Sequence, residues 1–95
     1  SGAGRQAKAN WGAYAISKFA TEGMMQLFSS ELEKESPNVR ANAINPGATR
    51  TNMRAAAFPD EDPQTLPTSE DIMPVYLYLM GKDSLTINGQ SIDAQ

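Results

Sequence analysis

Gly12-Ala13-Tyr14-Ala15-Ile16-Ser17-Lys18-Phe19-Ala20-Thr21-Glu22-Gly23-Met24-Met25-Gln26-Leu27-Phe28-Ser29-Ser30-Glu31-Leu32-Glu33-Lys34-Glu35 is the stretch on which the fold turns. Its apolar residues recur at helical spacing: Tyr14, Met25, Phe28 and Leu32 fall on one stripe, with Ile16, Phe19, Met24 and Leu27 on neighbouring ones. Glu22, Gln26, Ser29 and Glu33 share a narrow polar strip. So wide an apolar arc predicts a helix over 12–35 that is covered on two sides, by its own sheet and by a second helix or subunit. An ordinary core helix would show the same pattern. Ser36-Pro37-Asn38 ends the run, because proline disfavours helical geometry in the residue before it and cannot continue the hydrogen-bond ladder.

On the N-terminal side, residues 1–9 are small and polar with two glycines, the composition of a loop or the tail of a strand. On the C-terminal side, Val39 to Ile44 is short and weakly alternating, as expected of an interior strand buried on both faces. Asn45-Pro46-Gly47 breaks it. Asn52 to Thr68 carries three prolines and the acids Asp60, Glu61 and Asp62, which predicts a long loop or a short helix plus loop. The three acids could bind a hard cation but more commonly are solvated. Ser69 followed by Glu70 and Asp71 marks a helix start, and Ile72, Val75, Tyr76, Leu79 and Met80 continue a helical face to Gly81. Leu85 to Asp93 reads as a last strand whose Asn88-Gly89 is a hairpin turn or a bulge. Helix, strand, loop, helix, strand is half of an α/β layered fold, and two strands cannot close a stable sheet.

Composition removes several classes of function. Eight basic residues against eleven acidic ones give a net charge of -3, with no basic run to serve as a nucleic-acid footprint. The chain has no cysteine and no histidine, which excludes disulfides, thiol chemistry and nearly every zinc-site pattern. No apolar run reaches the roughly 20 residues that span a bilayer, and the start lacks the pattern of a secretory leader. A soluble, cytoplasmic protein without a membrane partner is expected.

Tyr14 and Lys18 lie four apart on the first helix and are therefore neighbours on one face. An ammonium close to a phenol favours the phenolate and so makes a tyrosine usable as a proton donor and acceptor. Alone the pair is weak. Three tyrosines and four lysines in this composition produce one such spacing by chance in about one chain of eight.

Three segments together carry more: Ser1, thirteen residues before Tyr14; Tyr14-Ala15-Ile16-Ser17-Lys18; and Asn45-Pro46-Gly47-Ala48-Thr49-Arg50-Thr51. This combination resembles the classical short-chain dehydrogenase/reductase family. The resemblance continues through Asp71-Ile72-Met73-Pro74 and Asn88-Gly89-Gln90, and Asn10-Trp11-Gly12-Ala13-Tyr14 and Ala57 to Gln64 look like one bacterial branch whose substrates are mostly unassigned. It implies that residues 1–95 are the C-terminal catalytic segment of one doubly wound, Rossmann-type parallel-sheet domain, without the dinucleotide-binding N-terminal half. It implies hydride transfer between NAD or NADP and a carbonyl or secondary alcohol. Ser1 would hold the substrate oxygen, Tyr14 would exchange a proton with it, and Lys18 would favour the phenolate and bind the nicotinamide ribose. Pro46 and Gly47 would wall the nicotinamide pocket, Thr49 would offer backbone groups, and Thr51 its hydroxyl. No metal is called for. Pairing of the helix 12–35 across a two-fold axis would make a homo-oligomer.

Some positions depart from the family's pattern. Phe19 stands where a small residue is usual, Thr49 where isoleucine or valine is common, and Asp93-Ala94-Gln95 replaces a glycine pair. The glycine-rich phosphate turn, the residue choosing NAD or NADP and the family's active-site asparagine are not in this stretch. A second reading, from a different class, is a non-catalytic fragment or assembly module. Trp11 could stack on a ligand, although packing beside the helix start is the commoner use of such an aromatic.

Overall fold

A computed structural model describes residues 1–95. Helix α1 spans Gly12–Glu35, strand β1 Ala43–Asn45, helix α2 Asn52–Ala57, helix α3 Met73–Met80 and strand β2 Ser91–Asp93, with single 3-10 turns at Gly2–Gly4, Pro63–Thr65, Glu70–Ile72 and Lys82–Ser84. β1 and β2 are parallel neighbours in the register Ala43↔Ser91, Ile44↔Ile92 and Asn45↔Asp93. α2 and α3 lie on the crossover between them, as a parallel pair requires. The helix–strand–loop–helix–strand order is the one read from the sequence, and α1 has the expected bounds.

Both strands are shorter than expected. Residues 39–42 approach the last strand through one backbone bond and several side-chain bonds instead of a continuous ladder: Asn88 Oδ1 accepts from Ala41 N, and Asn42 Nδ2 donates to the Ile87 carbonyl. Asn88-Gly89 is neither a hairpin nor a bulge, since the strands it adjoins are parallel. It is a clasp. Gly89 at φ 71° donates its N–H to the Ala41 carbonyl, while Asn88 Nδ2 donates to the Ser29 carbonyl on α1 at 3.1 Å. A Cβ on Gly89 would meet Ser29 Oγ at 2.9 Å, so both backbone conformation and close approach require glycine there.

α1 turns half of its polar strip inward. Ala15, Glu22, Met25 and Ser29 are its buried residues, whereas Ile16, Phe19, Met24, Leu27 and Phe28 are exposed. The strip predicted from the sequence is thus split, with Glu22 and Ser29 facing the last strand and its approach. The cause is specific bonding: Ser91 Oγ donates to Glu22 Oε1 at 2.8 Å, and Ser29 packs against Gly89. Phe19 projects outward, so its bulk is accommodated here.

α3 begins later than the sequence suggested, because Glu70–Ile72 form a single 3-10 turn and the α-helix proper starts at Met73. Thr68, not Ser69, supplies the cap: Thr68 Oγ1 accepts from Asp71 N at 3.2 Å and Asp71 Oδ2 accepts from Thr68 N at 2.8 Å, a reciprocal capping box. Ser69 already has helical angles and makes no capping bond. Pro74 falls in the first turn, where its missing N–H costs least. At the other end the buried Ser84 hydroxyl satisfies the Leu79 or Gly81 carbonyl.

Only Ala15, Met25 and Ile72 are buried apolar side chains, and the molecule measures 47 × 29 × 16 Å. Its shortest dimension is little more than one helix diameter of about 10–12 Å. Side chains such as Ile16, Leu77 and Met80 therefore remain largely exposed.

Candidate active site

Ser1 caps the 3-10 turn Gly2–Gly4: its Oγ accepts the Ala3 N–H at 3.3 Å, which leaves the hydroxyl hydrogen free to donate elsewhere. That turn rests on α1. Gly4 is buried against the Lys18 backbone, where a Cβ would meet the Lys18 carbonyl oxygen at 2.5 Å and Glu22 Cγ at 3.1 Å. The serine is thereby held beside the helix segment that carries the lysine.

Tyr14 and Lys18 sit one helical turn apart at the start of α1, with the ammonium 5.4 Å from the centre of the Tyr14 ring. The cation lies over the ring face, an attractive placement. Trp11 tilts against Tyr14 with ring centres 5.7 Å apart, and the Lys8 ammonium lies 5.8 Å from the Trp11 ring. Trp11 thus packs on the tyrosine's flank. Helix entry is set by two residues with positive φ, Asn10 at 69° and Gly12 at 48°.

The second group of expected residues forms a turn after β1. Asn45 Oδ1 accepts from Gly47 N at 3.2 Å, Pro46 fixes its own φ, and Gly47 takes the left-handed conformation at φ 74°. Thr49 is buried and donates its hydroxyl to the Gly47 carbonyl at 3.1 Å. Here threonine locks the turn through a bond that isoleucine or valine could not make. Gln95, one of the departures noted above, donates its carboxamide to the Pro46 and Ala48 carbonyls at 2.7 and 2.9 Å. Thr51 is the N-cap of α2, its hydroxyl accepting from Arg54 N at 3.1 Å.

The segment beyond Thr51 folds on itself. Arg50 donates to the Pro63 and Leu66 carbonyls at 2.9 and 3.1 Å, and Arg54 grips Glu61 through two bonds of 2.8 and 2.9 Å. The Arg54 guanidinium also stacks 3.7 Å from the Phe58 ring centre. Two of the three clustered acids are accounted for locally, Glu61 by this pair and Asp62 by capping the turn at Pro63–Thr65. The Arg54 guanidinium holds the Glu61 carboxyl below the usual carboxylate range.

One network joins the two groups of site residues. Arg5 donates from Nε to Ser91 Oγ at 2.9 Å and from Nη1 to Asp93 Oδ1 at 2.6 Å, and Asn45 Nδ2 donates to the same Asp93 oxygen at 3.0 Å. The hydrogen bonds from Arg5, and then from Asn45, lower the Asp93 carboxyl from its ordinary value. Sequence reasoning missed Arg5, Glu22, Asp93 and Gln95. The one available signal was Glu22 itself, a carboxylate spaced four from Lys18 and three from Met25 on a single stripe.

The sequence pattern described as short chain dehydrogenase matches residues 1–62, the stretch that holds Ser1, Tyr14, Lys18 and the turn after β1. The chain belongs to that family. Over all 95 residues this short-chain dehydrogenase segment is 61% identical to the uncharacterized oxidoreductase YciK of Escherichia coli K12, and it covers 36% of that protein's length. A solved short chain dehydrogenase from Salmonella enterica serovar Typhi matches the whole chain at 62% identity and a TM-score of 0.94, with 38% of the solved chain covered. An Escherichia coli protein assigned provisionally to the same family, solved in complex with NADPH, matches at 61% identity and a TM-score of 0.93, again over 38% of its length. The chain therefore spans little more than a third of the relatives it matches. Its two strands and three helices are a portion of a Rossmann-type fold, as the resemblance implied.

Proposed function

We propose that this chain is the catalytic C-terminal segment of an NAD(P)-dependent oxidoreductase that interconverts a carbonyl and a secondary alcohol. The observation that carries the reading is the Ser1 turn seated on α1 at Lys18, one helical turn from Tyr14. That contact seats the serine's turn on the helix segment that carries Lys18 and, one turn earlier, Tyr14.

The donor set fits the nicotinamide end of a dinucleotide. Lys18 and Tyr14 offer a cation and a hydroxyl for ribose hydroxyls, and Pro46, Gly47, Thr49 and Thr51 present a rigid turn with a hydroxyl hydrogen for a carboxamide. When bound, that cofactor supplies or accepts the hydride. Tyr14 passes its hydroxyl proton to the substrate oxygen on reduction and takes it back on oxidation. Ser1 donates a hydrogen bond to the same oxygen, and Lys18 stabilises the negative charge left on the phenol. Binding of NADPH by a relative favours a nicotinamide cofactor, and the pyrophosphate belongs to the preceding dinucleotide-binding half.

The small apolar core supports the same reading, because so few buried side chains suit a segment that packs against more chain. We place a second copy on the exposed face of α1, where Ile16, Phe19, Met24, Leu27 and Phe28 lie together. Met25, expected on that arc, is instead buried.

The test uses the chain extended by its dinucleotide-binding half. Tyr14→Phe should lower turnover by about a hundredfold or more with cofactor affinity and fold retained, since only the proton-transfer hydroxyl is lost. Lys18→Ala should weaken cofactor binding and turnover together. Ordinary activity in Tyr14→Phe overturns the assignment.

A further inference from the structure

Arg5 is the hinge pin between three pieces of this site that have no covalent proximity. Its own backbone belongs to the Ser1 turn, its N–H closing on the Gly2 carbonyl at 3.1 Å. Its guanidinium reaches β2 at two successive outward positions, Ser91 and Asp93. Ser91 in turn donates to Glu22 on α1, four residues beyond Lys18, and Asp93 accepts from Asn45 immediately before Pro46. Glu22 is buried and lies 4.0 Å from Arg5 Nε, so its charge is balanced by the same guanidinium. A buried carboxylate without such a partner would be costly.

We propose that Arg5 is a positioning residue that acts through Ser1, fixing the serine's turn relative to Tyr14 and Lys18 by a forked bond to β2. The proposal rests on the catalytic reading of Ser1 given above. Geometry separates Arg5 from the cofactor wall: without it, Asn45 still donates to Asp93 and still accepts the Ala94 N–H at 2.9 Å. The Asn45–Gly47 turn is then kept by bonds that do not involve Arg5. The Ser1 turn is not, because Gly4 touches α1 without any polar bond to it and slides unless the guanidinium holds the outer end.

The experiment is a double-mutant cycle in the extended chain, with kcat per active enzyme and cofactor Kd measured for Ser1→Ala, Arg5→Ala and the pair. Arg5→Ala is expected to lower kcat about tenfold while cofactor Kd changes less than about twofold. In the Ser1→Ala background the same change should cost less than about twofold, because the group it positions is gone. Arg5→Lys, which keeps the charge beside Glu22 but not the fork, should recover part of kcat and carries the test should Arg5→Ala not fold. Independent, multiplying effects of Ser1→Ala and Arg5→Ala overturn the proposal while leaving the catalytic reading intact. Full activity of Ser1→Ala overturns both, and a parallel loss of cofactor affinity in Arg5→Lys or Arg5→Ala assigns Arg5 to general folding instead.

Discussion

The carbonyl oxygen of Lys18 occupies the space that a methyl group on Gly4 would need, 2.5 Å from its Cβ position. The oxygen is backbone and a Cβ is fixed rigidly to its Cα, so neither can swing aside. Gly4→Ala should push the Ser1 turn off α1, costing about 1–3 kcal/mol of stability as overpacking does, and turnover should fall further than stability alone explains. Urea unfolding of the extended chain, paired with kcat for the folded fraction, checks this; Gly12→Ala, where nothing lies within 4 Å, separates the steric cost from the conformational one.

Acid should unfold the protein through a few named carboxylates. Asp93 is held low by hydrogen bonds from Arg5 and then Asn45, Glu61 by Arg54, and Asp71 by the backbone and then the side chain of Thr68. A group whose folded pKa is depressed adds stability above its unfolded value, and loses it as pH falls through the folded one. The melting temperature should thus be flat from neutral pH to about 5 and decline below about 4. With no histidine in the sequence, no side chain of ordinary pKa titrates in between. A steep fall between pH 7 and 5 would contradict the assignment, and Asp93→Asn should flatten the acid limb.

Thr68→Ala should cost about 1 kcal/mol, the usual value of a lost N-cap, whereas Ser69→Ala should be nearly neutral. Chemical denaturation of the two variants decides which residue caps the Glu70–Ile72 turn that leads into α3. The reverse order would restore the assignment made from sequence.

Phe28→Glu, on the outward arc of α1, should convert an oligomer of the extended chain to monomer without lowering its stability appreciably. Met25→Glu should instead unfold it, since burying an unpaired carboxylate costs several kcal/mol. Sedimentation velocity and thermal melts distinguish the two outcomes. A wild type that sediments as a monomer removes the interface.

Periodicity and punctuation made α1, the turn after β1 and the order of elements legible, because helical spacing and an Asn-Pro-Gly run act locally. Tyr14, Lys18 and Ser1 stand out as candidates only through the family resemblance. The side that α1 presents to the sheet was not. Hydrophobicity assigned Glu22 to a polar strip, but its inward position depends on Arg5 and Ser91, which lie 17 and 69 positions away in sequence. Thr68 was passed over for the same kind of reason. Ser69 and Thr68 are both good caps, and only the reciprocal bond with Asp71 chooses between them. The strands were overestimated because side-chain amides of Asn42 and Asn88 substitute for ladder bonds, and no β-propensity registers that exchange.

Arg50 and Arg54 fasten residues 50–67 to one another, and none of their hydrogen bonds reaches Ser1, Tyr14, Lys18 or the strands. A parcel tied with its own string can be swapped without untying anything else. The proline-rich stretch is accordingly the part of this chain that natural variation can rewrite most cheaply, provided the two arginines, Glu61 and the capping Asp62 stay in place, while the residues proposed for proton transfer on α1 are left untouched.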